Sequence, residues 1–474
     1  MSSATDNINT RVDKNDVQQH HSTVIDLDGI KEKLSRQQRK RTYQIEQFTS
    51  NHSLIVEQLV KRNMVENKKA SNYHFKWGWS WNSLFVANEH QIVNHFPNYD
   101  EIGTKSGLTT NLNRLYRRSA DKIVRQHIET FFPRSYLLSN QSERDSFLLD
   151  FYRPTTSQQQ CSTSTNTQSL LSNNDDDVHF QSMDMSSTYV YAPQPHIDGT
   201  NNIWIAKPSS MARGVGIKIF NDANQLLQYT KEHEHQFIAQ KYVESPLLVM
   251  NRKFDIRQFV LVTSLNPLTV FLYRDCYLRF CSVQYSTANI HDRFAHLTNH
   301  QVQKEYKGDH DIEIPHNQWS LETFKSYLKN NNHDRDIWND MIYDKIKSLV
   351  ITTLMSWPSE GHRNNSFELL GFDIMLTDHY QPLLIEVNSN PGLHLVTDVV
   401  KSHHPRAIND MFKVIMDNKD QWYSAADIND HDRKQQLFGD WDPIHVGHHD
   451  ENLKTIQTKS KAKFKSLNVQ TVSK

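Results

Sequence analysis

Two carboxylates and an amide interrupt apolar runs in the C-terminal half of this 474-residue chain. Residues 383–387 form a short apolar run that predicts a buried strand. Glu386 and Asn388 stand two residues apart, so on a strand they project from one face, about 7 Å apart at their Cα atoms. Asp373 interrupts a second apolar run in the same way. Because burying an unpaired charge is costly, we expect either an oxygen site suited to Mg²⁺ or salt bridges at sheet edges.

A lysine and two glycines mark a second candidate site upstream. Residues 202–208 predict a strand that ends near Lys207, and a turn with Arg213, Gly214 and Gly216 leads into another strand. Glycines let backbone N–H groups approach phosphate oxygens, and an adjacent lysine supplies a cation. The turn is neither a Walker A loop nor a Gly-x-Gly-x-x-Gly dinucleotide turn. Taken alone, it is also compatible with an ordinary hairpin.

Further polar motifs follow in a fixed order. An amphipathic strand places Lys253, Asp255 and Arg257 on one face. The other motifs are Gln-Lys-Tyr-Val at 240–243, Tyr-Leu-Arg-Phe at 277–280 and His-Leu-Thr-Asn-His at 296–300. With the lysine strand before them and the carboxylate strands after them, this order resembles the ATP-grasp ligases of the tubulin tyrosine ligase-like family. The resemblance covers about positions 70–420 and includes motifs at 93–97, 104–108 and 131–133.

The resemblance implies an α/β ATP-grasp fold with a smaller N-terminal α/β domain. Within the family, several motifs are similar to those of the glycine ligases, namely those at 131–136, 204–211, 246–248 and 296–299. The ending at 388–394 looks most like that of the polyglycylase that elongates glycine chains. One departure is Val215, where many members carry Arg or Lys, and Arg213 is a candidate replacement for that charge.

The same resemblance assigns roles to single residues, with ATP and Mg²⁺ as cofactors. The residues expected at the phosphates are Lys207, Arg213 and Gly214. Those expected at the adenine and the rest of the nucleotide are Gln240, Lys241, Tyr242, Val243, Lys253, Phe254, Asp255, Thr298 and Asn299. Those expected to coordinate magnesium are Asp373, Glu386 and Asn388. Arg257 and Arg279 are candidate catalytic residues that grip carboxylates bidentately, and a structural ion pair is the alternative for each.

Such a site is suited to ATP-dependent bond formation. A carboxylate is a poor electrophile, so it must be activated, as an acyl-phosphate, before an amine attacks it. The resemblance therefore implies a ligase that adds free glycine to glutamate side chains or glycine chains on protein tails, with tubulin as the expected acceptor. Two alternatives stay open. One is glutamate as the donor, with Lys401 as an additional cation, and the other is an inactive adaptor that binds filaments.

Composition restricts the class of protein further. The net charge is −1, which gives no indication of a nucleic-acid partner. The 3 cysteines lack paired spacing, so neither a disulfide framework nor a zinc site is expected. The N-terminus lacks the apolar segment of a signal peptide, and no apolar run approaches the ~18 to 20 residues of a membrane span. We expect a monomer of the cytoplasm and cytoskeleton, including the cilium.

Composition also divides the chain into segments. The N-terminal segments are a disordered polar arm over 1–67, a domain over 68–150 and a low-complexity disordered insertion over 151–188. The later segments are a central ATP-grasp domain over 189–250, a C-terminal domain with the Mg-ATP site over 251–420 and a polar, basic tail over 421–474.

A helix-like run over 111–128 carries basic residues on adjacent turns. They are Arg114, Arg117, Arg118, Lys122 and Arg125. This spacing is typical of a solvated helix face, and the alternative is a patch that binds acidic tubulin tails. The basic run at 459–465 is open to both interpretations.

Overall fold

The structure is a computed structural model that describes residues 41–46, 53–68, 73–84, 88–153, 189, 191–308, 313–331, 335–422 and 431–447. Contacts divide the chain into Met1–Arg41 and Thr42–Lys474, and all described helices and strands lie in the second unit. Residues 1–40 of the predicted arm and 154–188 of the predicted insertion lie outside the described residues.

The second unit contains both strands and helices. The strands are β1 Thr42–Ile45, β2 Val65–Glu66, β3 Phe75–Trp77, β4 Ile92–Asn94, β5 Ser135–Leu137, β6 Trp204–Pro208, β7 Lys218–Phe220, β8 Phe237–Lys241, β9 Leu248–Val249, β10 Arg252–Leu265, β11 Leu268–Phe280, β12 Gln318–Ser320, β13 Ser366–Leu376, β14 Pro382–Asn388 and β15 Trp441–Val446. The helices are α1 Ser53–Lys61, α2 Trp81–Leu84, α3 Asp100–Gly103, α4 Lys105–Arg118, α5 Lys122–Phe131, α6 Gln141–Phe151, α7 Pro195–Asp198, α8 Ala223–Lys231, α9 Arg293–His296, α10 His300–Gln303, α11 Leu321–Asn331, α12 Tyr343–Met355, α13 Asp398–Phe412 and α14 His431–Phe438. None of these described helices has the length and apolar character needed to cross a membrane.

Eleven of the strands form one large mixed sheet. Its main order is β12-β11-β10-β13-β4-β3-β1-β2, with β14 paired to β13, β15 to β11 and β9 to β10. A smaller antiparallel sheet has the order β5-β8-β6-β7. The predicted α/β class is confirmed. The predicted N-terminal domain is not separate among the described residues, because β3 and β4 extend the large sheet by pairing in parallel up to β13.

Alternation along β10 separates the core from a cleft. Phe254 and Ile256 enter the main hydrophobic core with residues of α11 and α12, so Lys253, Asp255 and Arg257 project to the opposite face. Farther along that face, Phe259 packs under α13. The helix therefore covers one half of the face and leaves the charged half open. Apolar strands such as β13 are typical of sheets covered on both sides.

The folded part begins earlier and ends later than the composition predicts. Ile55 and Leu59 of α1 are buried against α13, where they join Tyr43 of β1. The prediction of a disordered arm is therefore wrong for residues 42–46 and 53–66. The predicted polar tail is wrong for residues 431–446, since β15 pairs with β11 and Trp441 is buried.

Residues 111–128 form parts of two helices and not one. α4 ends at Arg118, and Asp121 caps α5 by accepting a hydrogen bond from the N–H of Ile123 at 2.9 Å. Arg117 pairs with Glu143 at 2.9 Å. Arg118 and Lys122 are exposed as well and lie near the junction of α4 and α5. The basic face is thus smaller than the sequence suggests.

The packing of α1 gives a direct test of the revised boundary. Ile55→Ala removes a fully buried side chain and should lower the free energy of unfolding by about 2–5 kcal/mol. Val60→Ala on the same helix removes a side chain that is 56% exposed and should change it by less than about 0.5 kcal/mol. Urea unfolding of both variants measures the difference. Equal stability of the two variants would show that α1 does not belong to the core.

Candidate active site

A cleft lies where the two sheets meet. Its walls come from β6 and β8 of the small sheet, from β10, β13 and β14 of the large sheet, and from the segment between α9 and α10. The predicted site residues that line it are Lys207, Gln240, Lys241, Tyr242, Val243, Lys253, Asp255, Thr298, Asn299, Asp373 and Glu386. Segments far apart in the sequence therefore meet in one place.

Two buried lysines face this cleft without a carboxylate partner. The ammonium of Lys207 donates to Gln240 Oε1 at 2.6 Å, and that of Lys253 donates to the Tyr242 hydroxyl at 2.7 Å. Burial lowers the pKa of each to about 8; Glu386 opposes the shift at Lys207, and Cys281 and Asp255 oppose it at Lys253. Among the described residues, neither has an ion-pair partner within 4.0 Å, so both cations are available to an anionic ligand.

Lys253 begins a chain of hydrogen bonds with a defined direction. The Nε2 atom of His296 lies 2.9 Å from the carbonyl of Asn289, which only accepts, so Nε2 carries the proton. Burial lowers the pKa of His296 to about 4, so the ring is neutral and its Nδ1 accepts from Tyr242 at 2.8 Å. Tyr242 in turn accepts from Lys253. The chain fixes the lysine at one wall of the cleft.

Four charges at the floor of the cleft form a buried network. Arg257 and Asp373 are direct cross-strand partners on β10 and β13, with Nε and Oδ1 2.6 Å apart. Arg279 on β11 donates to Asp255 at 2.7 and 2.5 Å and lies 2.8 Å from Asp373. Burial alone would raise the pKa of Asp373, but the two guanidinium groups hold it well below its usual range. Thr298 donates to Asp255 at 2.5 Å.

The second carboxylate lies beside the first. Glu386 on β14 is the register partner of Asp373, and the Asn388 amide nitrogen lies 3.3 Å from Asp373 Oδ2 and 3.5 Å from Glu386 Oε1. The three predicted magnesium ligands therefore converge. Lys105 of α4 also reaches this point, 3.3 Å from Glu386 Oε2. Lys105 is not among the site residues that the sequence predicts, although it lies in the motif at 104–108.

The glycine turn lies against Asn299 and Val302. Arg213, Gly214 and Gly216 all have left-handed φ angles, of 66°, 80° and 69°. A Cβ at Gly214 would lie 2.8 Å from Val302 and 3.1 Å from Asn299 Oδ1, so only glycine fits there. Arg213 is exposed at this turn and does not line the cleft.

Two predicted nucleotide contacts have other roles in the fold. Phe254 is buried in the core, where its ring packs 5.4 Å from that of Phe280 and 5.5 Å from that of Phe324. Its prediction as a nucleotide residue is wrong for the side chain, because Phe254 alternates with Lys253 and Asp255 and points away from the cleft. The ammonium of Lys241 is held by Glu244 at 2.6 Å, which leaves mainly its backbone to meet a ligand.

Comparison with known proteins decides the family. Residues 85–422 match the tubulin-tyrosine ligase family. The chain belongs to the tubulin-tyrosine ligase family. Similar proteins include "Tubulin glycylase 3B" of Tetrahymena thermophila, 41% identical over 226 residues, which are 48% of this chain and 19% of that protein. "Tubulin glycylase 3B" of Drosophila melanogaster is 38% identical over 230 residues (48% and 30%), and "Protein monoglycylase TTLL8" of Mus musculus is 36% identical over 240 residues (48% and 28%).

These similarities confirm the predicted likeness to the glycylase branch of the tubulin-tyrosine ligase family. The chain spans about a fifth to a third of the length of these curated relatives. Among the described residues no group of three His, Cys, Asp or Glu side chains is arranged to hold a metal ion. The ligand set of this family member would consist instead of two carboxylates and the amide of Asn388.

The burial of Lys207 and Lys253 predicts that nucleotide binding depends on pH. Each must be protonated to attract a triphosphate, and each has a pKa of about 8 in the free protein. Below that pH both are charged, and as the pH rises through 8 a growing fraction of each becomes neutral. The logarithm of the Mg-ATP dissociation constant should therefore rise above pH 8 with a slope of about one to two per pH unit.

Calorimetric titration of Mg-ATP between pH 7 and 10 measures this slope. Lys207→Met should bind more weakly at pH 7 and show a shallower slope, because only Lys253 then titrates in this range. A dissociation constant that does not change across the range would contradict the placement of both lysines at the phosphates.

Proposed function

We propose that this chain is an ATP- and Mg²⁺-dependent ligase that adds glycine to glutamate side chains or glycine chains on protein tails, with tubulin as the acceptor. The observation that carries the proposal is the meeting of opposite charges in one cleft. Two buried lysines without an ion-pair partner among the described residues lie on one side, and two carboxylates with an amide lie on the other. Buried cations without partners fit a polyanion, and the oxygen set fits a hard divalent cation.

Each group of residues in the cleft would bind a different part of Mg-ATP. Lys207, Lys253 and Lys105 would neutralise the phosphates, the segment 240–243 would meet the adenine, and Asp373, Glu386 and Asn388 would hold magnesium. Mg-ATP held there would supply the phosphoryl group that activates an acceptor carboxylate as an acyl-phosphate, with ADP as the leaving group. The glycine amine then attacks the carbonyl carbon, phosphate departs, and the nitrogen loses a proton as the amide bond forms.

Arg257 and Arg279 are each placed for the two roles that the sequence leaves open, which are a structural ion pair and the binding of a substrate carboxylate. Each uses Nε and Nη2 to hold a buried carboxylate. Their Nη1 groups make no hydrogen bond within the described part of the chain, so these edges are open to a substrate carboxylate. We infer that the two arginines fix Asp373 and present donors to the reacting acids.

The alternatives receive less support. Glutamate as donor would need an extra cation, but Lys401 is exposed and pairs with Asp398 at 3.0 Å, and the relatives reported above are named glycylases. An inactive adaptor would not need two lysines desolvated in one cleft with the carboxylates. The proposed setting is the cytoskeleton, including the cilium, where tubulin tails are found.

Glu386→Gln tests the proposed chemistry. The change removes one metal-binding charge with almost no change in volume, so ATP turnover should fall by at least about a hundredfold while the melting temperature stays within a few degrees. Glu322→Gln, the same change at an exposed position of α11, is the matched control and should keep full activity. Unchanged turnover in Glu386→Gln would remove Glu386 from the metal site.

The junction of α4 and α5 gives a test of acceptor binding. Arg114 is half-buried and bonded to Asn111, so Arg118→Glu with Lys122→Glu is the cleaner change. This pair should weaken binding of a glutamate-rich peptide several-fold at low salt and less at 0.5 M salt, because exposed charges are screened over roughly 8 to 10 Å at physiological ionic strength.

Lys61→Glu with Lys231→Glu makes the same charge change at exposed positions of α1 and α8 and serves as the control. Peptide binding and Mg-ATP binding are titrated separately for both double variants. If the two double variants lose peptide affinity equally, the effect is one of net charge, and the junction is a solvated face.

A further inference from the structure

Trp79 is exposed although its main chain is firmly held. It follows β3, and its side chain is 50% exposed. The N–H of Gly78 donates to Asn94 Oδ1 at 2.7 Å, and the Gly78 carbonyl accepts from Asn94 Nδ2 at 2.9 Å. The N–H of Trp79 donates to Glu46 Oε2 at 3.0 Å, and the Trp79 carbonyl accepts from Asn390 Nδ2 at 3.1 Å. Every main-chain polar group of these two residues therefore has a side-chain partner.

Single exposed aromatic residues are common on protein surfaces and need no function. The support beneath Trp79 is less common. His95, which follows Asn94, adopts a left-handed φ of 76° and is held there by Glu368 of β13, 2.7 Å from its Nδ1. Left-handed backbone in a residue other than glycine is unfavourable and persists only where the surroundings enforce it. The large sheet thus holds the main chain from which the indole projects.

The main chain of Trp79 lies beside the end of the carboxylate strand. β14 ends at Asn388, and Asn390, which donates to the Trp79 carbonyl, stands two residues farther on in a bend. α3 closes the neighbouring side, since a Cβ at Gly103 would lie only 2.7 Å from that of Ser389. The lysine-lined part of the cleft is assigned to the nucleotide, which leaves the Asn388 side of Glu386 for an acceptor carboxylate.

We propose that Trp79 binds the acceptor polypeptide, as an extended acidic tail whose main chain lies across the indole ring. The inference rests on the proposed ligase function and assigns a residue to its acceptor side. An exposed aromatic ring on a main chain that is already held offers a large contact area, and its main chain has little entropy left to lose. The indole N–H has no partner among the described residues, so it is free to donate to a carbonyl or carboxylate oxygen of the tail.

The test compares Trp79→Ala with Tyr152→Ala, which removes another aromatic side chain, 45% exposed, from the end of α6. Trp79→Ala should raise both the dissociation constant of a fluorescein-labelled glutamate-rich peptide and the KM for tubulin by about tenfold. The kcat at saturating tubulin, the KM for ATP and the melting temperature should stay within about twofold or two degrees of the parent. Trp79→Phe should recover part of the affinity.

Each remaining outcome has a defined meaning. Unchanged peptide affinity and unchanged KM in Trp79→Ala overturn the inference, as does an equal loss in Tyr152→Ala. A parent protein that incorporates no glycine overturns the proposed function, and the peptide dissociation constants then still decide on Trp79. An active parent with an unaffected Trp79→Ala variant overturns only the role of Trp79.

Discussion

The Arg257–Asp373 and Arg279–Asp255 pairs are the interaction on which the rest of the site depends. All four side chains are buried on three adjacent strands, where each pair joins direct cross-strand partners, and Arg279 also reaches Asp373. Two positive and two negative charges balance, so the network is neutral although it is desolvated. Breaking such a buried pair usually costs about 3–5 kcal/mol, because the remaining charge has no partner. Strand register and the ionised state of Asp373 are thereby held by the same contacts.

The lysines around this neutral network follow the opposite rule. Lys207 and Lys253 are buried without an ion-pair partner among the described residues, and burial lowers the pKa of both. A triphosphate with its metal would supply the countercharge. The arginines therefore build the floor of the site, and in the proposed function the lysines would favour a polyanion. Lys105 connects α4 to Glu386 and so joins the N-terminal helices to the same site.

Much of the site was predictable because strands carry a simple periodicity. A charge within an apolar run identifies Asp373 and Glu386, and spacing by two places Asn388 beside Glu386. The same periodicity excludes the Phe254 side chain from the site, because Phe254 alternates with Lys253 and Asp255. The composition does not predict α1, although apolar residues recur at 54, 55 and 59. Its burial depends on α13, which lies more than 300 residues later in the chain. The pairing of β15 with β11 and the support of Trp79 by Asn390 are likewise tertiary contacts that local patterns do not contain.

The reaction proposed for this cleft joins glycine to an acidic protein tail with hydrolysis of ATP to ADP and phosphate. Mass spectrometry of purified tubulin incubated with the protein, Mg-ATP and an equal mixture of isotope-labelled glycine and glutamate tests it in one measurement. A glycine ligase produces tail peptides that carry one or more labelled glycines, and none when ATP is left out. Tails that carry labelled glutamate, or no added residue at all, would contradict it.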